Sequence, residues 1–258
     1  MAKTIAVCNQ KGGTGKTTTT VNLASALAAL GKKILIVDMD PQGNSSSGVG
    51  INKNEIKESL YEVLIHRTTI EQALLKTSYN NLDILPCNIN LTGAEIELVG
   101  VLSRETRLKK ALDAIKNQYD FIFIDSPPSL GLLTLNALVA ADAILVPIQC
   151  EFYALEGVSQ LLNTISLVKD GLNPDLHIEG VLMTMADFRT NLTNEVINEI
   201  KNYFKEKVYK SIIPRNIRLS EAPSFGKPIN VYDSSSVGSL KYKELAEEFL
   251  IANQAISS

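Results

Sequence analysis

A glycine-rich segment, residues 9–18, carries residue types that bind phosphate. Its sequence is Asn-Gln-Lys-Gly-Gly-Thr-Gly-Lys-Thr-Thr, and it follows the apolar run 4–8. Because glycine has no Cβ, such a backbone can curl with its N–H groups pointing inward, and a helix that begins directly after it adds further donors. Lys16 would then reach the β- and γ-phosphates of a nucleotide, and the Thr17 hydroxyl would ligate Mg²⁺. The segment therefore predicts a phosphate-binding loop.

The loop departs at one position from the general pattern G-x-x-x-x-G-K-[ST]. Gln10 stands where that pattern has glycine, and Lys11 supplies a second cation five residues before Lys16. Lys11 is either a solvated surface lysine or a second phosphate ligand. This form of the loop resembles the deviant Walker A ATPases, which include ParA/Soj, MinD and the nitrogenase iron protein. The resemblance implies that Lys11 reaches across an ATP-dependent homodimer, with the nucleotides sandwiched between the subunits, to the partner's phosphates.

Acidic residues end two of the apolar runs of the chain. Asp38 and Asp40 end the run 32–40, and Asp125 ends the run 121–125. Continuous apolar runs are typical of buried strands in a parallel sheet, and open α/β sheets bind ligands at the carboxyl ends of their strands. An apolar strand that ends in aspartate has the Walker B form, in which the carboxylate supports the Mg²⁺ shell. The alternative is that Asp125 only caps the following helix.

The roles of Asp38 and Asp40 remain open from the residues alone. A carboxylate beside the γ-phosphate orients or activates the attacking water. Asp38 lies on the same face of the strand as Asp40 and is placed to contact the metal shell or Lys16, unless both acids simply end the strand. Resemblance to ParA, in which the second aspartate of this motif supports hydrolysis, favours Asp40. The expected metal ligands are Thr17, Asp40 and Asp125, and the expected catalytic residues are Lys11, Lys16 and Asp40.

The resemblance to ParA/Soj proteins covers nearly the whole chain. It rests on Asp-Met-Asp-Pro-Gln-Gly-Asn (38–44), Asp-Ser-Pro-Pro-Ser-Leu-Gly (125–131), Phe-Arg-Thr-Asn-Leu (188–192) and Ile-Pro-Arg-Asn-Ile-Arg-Leu-Ser-Glu-Ala-Pro-Ser (213–224). It implies that the ligands are ATP and Mg²⁺ and that residues 214–216 hold adenine. The expected nucleotide-binding residues are Lys11, Gly12, Gly13, Thr14, Gly15, Lys16, Thr17, Thr18, Pro214 and Asn216.

The resemblance also implies nonspecific binding to double-stranded DNA, with Arg189 and Arg218 as DNA-binding residues. The net charge of −3 does not indicate a nucleic-acid-binding protein, but residues 186–230 hold eight cations and five acids, a local balance of +3. Such a segment is either a solvated basic face or a surface that follows DNA phosphates with a steep salt dependence. The implied protein partner is a centromere-binding protein of the ParB type, which stimulates a slow, dimer-dependent ATP hydrolysis and releases the DNA.

Three other functions are known or conceivable for a chain with this phosphate loop. A MinD-like membrane ATPase needs a basic amphipathic C-terminal helix, whereas the final predicted helix carries Glu244, Glu247 and Glu248 beyond two lysines. An electron-transfer protein like the nitrogenase iron protein needs two cluster-binding thiolates in each chain, and the contexts of Cys87 and Cys150 do not match its cysteines. A nucleotide-binding switch without hydrolysis remains if Asp40 is not catalytic.

The positions of these residues predict an α/β fold, a P-loop NTPase with a doubly wound, mostly parallel sheet and helices on both faces. Strands are predicted at 4–8, 32–40, 82–86, 121–125, 143–149, 178–186 and 208–213. Helices are predicted at 17–30, 55–75 with a break near 67–69, 94–117, 153–169, 192–207 and 236–252, and a polar loop at 41–48. The length of 258 residues fits one large domain, 1–258.

Composition indicates a cytoplasmic protein that we expect to associate with the nucleoid. No basic-then-apolar leader precedes the first strand, and no apolar run approaches the roughly 18 residues of a membrane span. Three widely spaced cysteines suit a reducing compartment and not a disulfide framework. We also expect no N-terminal helix-turn-helix, so DNA binding should not be site-specific.

Overall fold

The computed structural model describes residues 1–151 and 154–254, and its centre is one eight-stranded sheet. The strands are β1 (Lys3–Val7), β2 (Ile34–Asp38), β3 (Leu75–Lys76), β4 (Leu82–Leu85), β5 (Phe121–Asp125), β6 (Ala143–Gln149), β7 (His177–Ala186) and β8 (Val208–Pro214). Their order is β3-β4-β2-β5-β1-β6-β7-β8, and every pair is parallel except β3–β4. The strand order changes direction around β1, and α/β sheets bind ligands at such a switch point.

Helices cover both faces of this sheet. In the described part of the chain they are α1 (Lys16–Ala29), α2 (Asn44–Gly48), α3 (Leu60–Leu64), α4 (Ile70–Ala73), α5 (Leu91–Glu97), α6 (Arg107–Asp113), α7 (Leu132–Ala140), α8 (Ala154–Gly171), α9 (Asn191–Phe204), α10 (Ile217–Glu221), α11 (Ile229–Tyr232) and α12 (Val237–Gln254). The predicted fold class, a doubly wound mostly parallel sheet, is confirmed.

Side-chain alternation along the strands creates two hydrophobic cores. In β1, Ile5 and Val7 pack in the core formed with α1 and α12, whereas Ala6 packs in the core formed with α3 to α9. Successive side chains of a strand point to opposite faces, so a strand buried on both faces is apolar at every position. This is why continuous apolar runs located the central strands correctly.

The long helix predicted over 94–117 is wrong. The chain leaves the helical conformation after Glu97, and α6 begins only at Arg107. Two residues in the interval explain the break. Gly100 carries the entropic cost of glycine in a helix, and Ser103 has φ +55°, which does not continue a right-handed helix.

Two other predicted segments differ from the structure. The helix predicted over 55–75 consists of two short helices, α3 and α4, and its last residue lies in the edge strand β3. Ser59 caps α3 in a reciprocal capping box with Glu62 and so starts a separate helix. The predicted polar loop 41–48 contains α2, whose first turn lies against the carboxyl ends of β2 and β5. Among the described residues, no helix is long and apolar enough to cross a membrane.

Candidate nucleotide-binding site

The phosphate loop between β1 and α1 is fixed by residues on both sides of it. Gly13 and Gly15 have φ of +75° and +88°, where L-residues with a Cβ are strained. The Asn9 side chain accepts a hydrogen bond from the Lys11 amide at 3.0 Å and donates one to the Pro147 carbonyl at 2.7 Å. From β7, the Thr184 hydroxyl donates to the Thr14 carbonyl at 2.8 Å.

Lys16, the first residue of α1, is buried beneath this loop. Its ammonium donates to the Lys11 carbonyl at 3.1 Å, and only 7% of the residue is exposed. Burial lowers the pKa of Lys16, while the nearby Asp125 carboxylate opposes that shift. A buried cation inside a curl of backbone N–H groups is suited to bind an oligophosphate.

Two acids lie side by side under the loop. Asp38 of β2 stands in register with Asp125 of β5, and both are fully buried. Asp38 Oδ2 accepts hydrogen bonds from the Ser46 amide and hydroxyl, both at 2.7 Å. The Ser45 hydroxyl donates to Asp125 Oδ2 at 2.8 Å. These bonds attach the start of α2 to the carboxyl ends of two neighbouring strands.

Asp125 Oδ1 is buried, and none of the residues that the structure describes donates a hydrogen bond to it. Burial raises the pKa of Asp125 and the pKa of Asp38, and the negative charge of Asp38 raises that of Asp125 further, while the Thr17 and Ser45 hydroxyls oppose the shift. An unpartnered carboxylate oxygen next to a hydroxyl is the kind of oxygen ligand that Mg²⁺ prefers. Thr17 and Asp125 therefore fit the metal role predicted for them.

Asp40 occupies a different environment from Asp38. It is half-buried, and its Oδ1 accepts a hydrogen bond from the Gln42 amide at 3.0 Å. The Asp40 carbonyl accepts from the Cys87 thiol at 2.8 Å, which holds its backbone next to the end of β4. The sequence alone did not assign separate roles to Asp38 and Asp40, but their environments differ. Asp38 anchors α2 from inside the protein, and the Asp40 carboxylate faces solvent.

Lys11 lies on the open side of the loop. Its side chain is 41% exposed and forms an ion pair with Glu151, which follows β6. An ammonium on a long flexible side chain at an open edge can contact a second molecule that docks there.

A cavity of about 320 Å³ adjoins the loop on the side of β7 and β8, and its lining includes Gly15, Thr18, Met185, Pro214 and Asn216. Met185 has φ +52°, an uncommon conformation for a large side chain, and such outliers cluster at binding sites. The Asn216 side chain accepts from the Leu219 amide at 3.3 Å and so caps α10. The cavity joins both predicted base-binding residues to the phosphate loop.

Comparison with known proteins gives the family. The family model described as AAA domain (AAA_31) matches residues 2–178. The sporulation initiation inhibitor protein Soj of Bacillus subtilis is 58% identical over 248 residues, which cover 96% of this chain and 98% of that protein. The chain belongs to the ParA/Soj family of chromosome-partitioning ATPases.

A second relative agrees with this assignment, and a solved structure that carries a different name shares the fold. The chromosome partitioning protein ParA of Myxococcus xanthus is 53% identical over 97% of this chain and 88% of its own length. A structure described as cobyrinic acid a,c-diamide synthase from Mycobacterium smegmatis, with bound ATP analogue and magnesium, superposes with a TM-score of 0.84 at 38% identity. It covers 96% of this chain and 93% of that one.

The two arginines expected to bind DNA in a ParA/Soj protein follow neighbouring strands. Arg189 comes after β7 with its side chain 86% exposed, and Arg218 lies in α10 with its side chain 55% exposed. Each is paired with acids, Arg189 with Asp187 at 2.6 Å and Arg218 with Glu221 at 2.9 Å. The structure places both arginines beyond the carboxyl ends of β7 and β8, in ion pairs that the sequence did not predict.

Several residues of the site were missed from sequence. Ser45 and Ser46 belong to a serine run directly after the acidic motif, and this run could have indicated hydroxyl donors near the carboxylates. Asn9 and Thr184 act through backbone carbonyls distant in the chain, and their residue types give no such signal.

We predict that Asp125→Asn raises the melting temperature of the nucleotide-free protein above that of wild type, and that this gain is larger at pH 8 than at pH 5. Folding raises the pKa of the Asp125 carboxyl, so between the two pKa values the folded protein binds more protons than the unfolded chain. The free energy of unfolding therefore falls as the pH rises from the unfolded-state pKa through the folded-state pKa. A neutral amide lacks this loss. One kcal/mol is worth about 2–4 °C in a protein of this size, and the expected gain at pH 8 is several degrees, measured by thermal melting. A destabilisation independent of pH would contradict it.

Proposed function

We propose that this chain is a DNA-positioning ATPase: ATP joins two copies into a dimer, the dimer binds nonspecific double-stranded DNA, and a ParB-type partner triggers hydrolysis and release. The observation that carries the proposal is the grouping at one edge of the sheet. The phosphate loop, the buried acids and the solvent-facing Lys11 lie together there, beside the strands that Arg189 and the α10 segment follow.

ATP and Mg²⁺ are the proposed ligands. Lys16 and the loop glycines would hold the phosphates, the cavity at Pro214 and Asn216 would take the base, and Thr17 with Asp125 would hold the metal. Bound Mg²⁺ supplies charge neutralisation at the phosphates. The Asp40 carboxylate would orient the attacking water, because it is the acid of the motif that solvent reaches.

Dimerisation is proposed from the position of Lys11. A cation supplied in trans accelerates phosphoryl transfer by about 10³–10⁵ in enzymes that use one. In the single chain Lys11 is held by Glu151 on its own subunit, so it needs a docked partner to reach another phosphate. Hydrolysis is therefore slow in the monomer and depends on the dimer.

The position of the C-terminal helix favours DNA over a membrane as the surface that the dimer binds. A MinD-like ATPase would lay the apolar side of this helix on lipid. In α12 that side is used in the core, because Tyr242, Leu245, Ala246 and Phe249 are at most 1% exposed. We accordingly propose a cytoplasmic, nucleoid-associated protein.

The test is binding to a random-sequence DNA duplex with ATP, ADP or no nucleotide, across a salt series, with oligomeric state measured in parallel. We predict binding with ATP only, weakening steeply with salt. Arg189→Ala and Arg218→Ala should each weaken binding about 3- to 10-fold and make the salt dependence shallower by roughly one phosphate contact.

Dimerisation is the control for these variants, because neither arginine belongs to the proposed nucleotide site. If both variants dimerise with ATP and bind DNA as wild type does, the arginines are not the DNA contacts. If wild type binds no DNA under any nucleotide but binds anionic vesicles, the membrane function replaces the present proposal.

A further inference from the structure

The exposed arginine after β7 is neutralised by a carboxylate that its own turn holds in place. Arg189 Nε and Nη2 donate to the two oxygens of Asp187 at 2.8 and 2.6 Å. This two-pronged arrangement is the one in which a guanidinium also binds a phosphate. The Arg189 amide donates to Asp187 Oδ1 at 3.2 Å, and Thr190 closes the turn onto the Asp187 carbonyl at 3.1 Å.

Asp187 is held in its ionised form by this pairing. The hydrogen bonds and positive charge of Arg189 lower the pKa of Asp187 to about 2. The carboxylate is therefore fully ionised at neutral pH, and the pair carries no net charge. A phosphate that approaches Arg189 meets the negative charge of Asp187 as well.

The arginine of α10 is also paired, but with two acids, each contacting a different nitrogen. Arg218 Nη1 donates to Glu221 at 2.9 Å, and its Nε lies 3.5 Å from Asp233. The Tyr232 hydroxyl donates to the same Glu221 oxygen at 3.2 Å and fixes that carboxylate. Arg218 with these two acids has a local charge of −1.

We propose that Asp187 and Glu221 are intramolecular competitors of the DNA backbone, acidic side chains that occupy the phosphate-binding edges of Arg189 and Arg218 and keep DNA affinity low. This inference rests on the proposed DNA-binding function and concerns its strength. A protein that must leave DNA after each hydrolysis cycle benefits from weak individual contacts. The carboxylates supply that weakness at the contact residues themselves.

The size of the effect follows from counter-ion release. Each additional net phosphate contact changes the slope of log affinity against log salt by about −0.9, and corresponds to roughly 3- to 10-fold in affinity near 0.1 M salt. Removing one carboxylate raises the local charge by one unit. Asp187→Asn leaves Arg189 as a full cation, and Glu221→Gln leaves Arg218 paired with Asp233. Asp187→Asn and Glu221→Gln are therefore each expected to tighten binding by about that factor and to steepen the salt dependence by about one contact.

The experiment measures affinity for a labelled random-sequence duplex across a salt series, in the presence of a non-hydrolysable ATP analogue. Both substitutions keep an oxygen that accepts the bonds from the Arg189 amide or from Tyr232, so the local turn is retained. The gain from Asp187→Asn should be smaller in an Arg189→Ala background, because only the repulsion of a lone carboxylate is then removed and no guanidinium is freed. An equal or larger gain without Arg189 would overturn the proposed competition.

Glu97→Gln is the matched control. Glu97 also pairs with an arginine, Arg67, and accepts a hydrogen bond from the Tyr61 hydroxyl, but it lies in α5, which follows β4, and four strands of the sheet separate β4 from β7. It changes net charge by the same amount and should leave DNA affinity unchanged.

Four further results would overturn the inference. Wild-type DNA binding that is unchanged in both acid variants makes the carboxylates spectators, and weaker binding makes them positioning residues that orient the arginines. An equal gain in Glu97→Gln reduces the effect to net charge. If no variant binds DNA while ATP-dependent dimers form, the DNA-binding function itself fails, and the inference fails with it.

Discussion

Replacing Lys16 with alanine is expected to abolish ATP binding by the isolated chain. The ammonium is the buried cation of the phosphate loop, and a bond from a charged group to a phosphate is worth about 1.5–3 kcal/mol. Lysine in this position would contact two phosphates, so the loss is about 3–6 kcal/mol, roughly 10²- to 10⁴-fold in affinity. Fluorescent ATP titrated against wild type and variant measures it directly.

The fold should survive this substitution. Burial lowers the pKa of Lys16, which means that the folded protein bears the cost of a desolvated ammonium. Alanine removes that cost and has the higher helix propensity at the start of α1. Thermal melting of the nucleotide-free variant should therefore match or exceed wild type.

Lys11→Ala is the matched comparison for this prediction. Lys11 is partly exposed and paired with Glu151, outside the buried part of the loop. This variant should still bind ATP as a monomer and fail to form the ATP-dependent dimer. Retained ATP affinity in Lys16→Ala would remove Lys16 from the nucleotide site and with it the basis of the proposed function.

The sequence predicted the parts of this protein that local rules govern. A strand buried on both faces must be apolar throughout, so the apolar runs around β1, β2, β5 and β6 identified these strands. The loop at Gly13 and Gly15 was predicted because only glycine takes positive φ without strain.

The parts that failed depend on contacts between distant segments or on single backbone torsions. The break between α5 and α6 includes the positive φ of Ser103, which no residue-type preference indicates. The bond from Thr184 to Thr14 spans 170 residues. Sequence could not show that Asp38, and not Asp40, is buried under α2. The structure shows this through the hydrogen bonds from Ser46 to Asp38, since the register of β2 and β5 alone does not decide which acid α2 covers.

Replacing Asp40 with alanine is expected to trap the ATP-bound state. The carboxylate is half-buried and solvent-facing, and its Oδ1 accepts a hydrogen bond from the Gln42 amide. Alanine thus removes the group proposed to orient water while the phosphate loop and the Asp125 carboxylate remain. Losing one general base or orienting residue costs about 10²- to 10⁴-fold in rate, so steady-state phosphate release should fall by that factor with ATP affinity nearly unchanged.

A persistent ATP dimer distinguishes this effect from simple damage to the site. Size-exclusion chromatography after ATP addition should show more dimer for Asp40→Ala than for wild type. DNA retention should also last longer, because hydrolysis precedes release in the proposed cycle.

The neighbouring acid provides the contrast for this trap. Asp38→Ala would leave the Ser46 amide and hydroxyl without their acceptor inside the protein, and an unsatisfied buried group costs about 1–3 kcal/mol. That variant should melt at lower temperature, whereas Asp40→Ala should not. An Asp40→Ala protein that is monomeric and hydrolyses ATP rapidly would assign the catalytic carboxylate elsewhere, and Asp38 would be the acid to examine next.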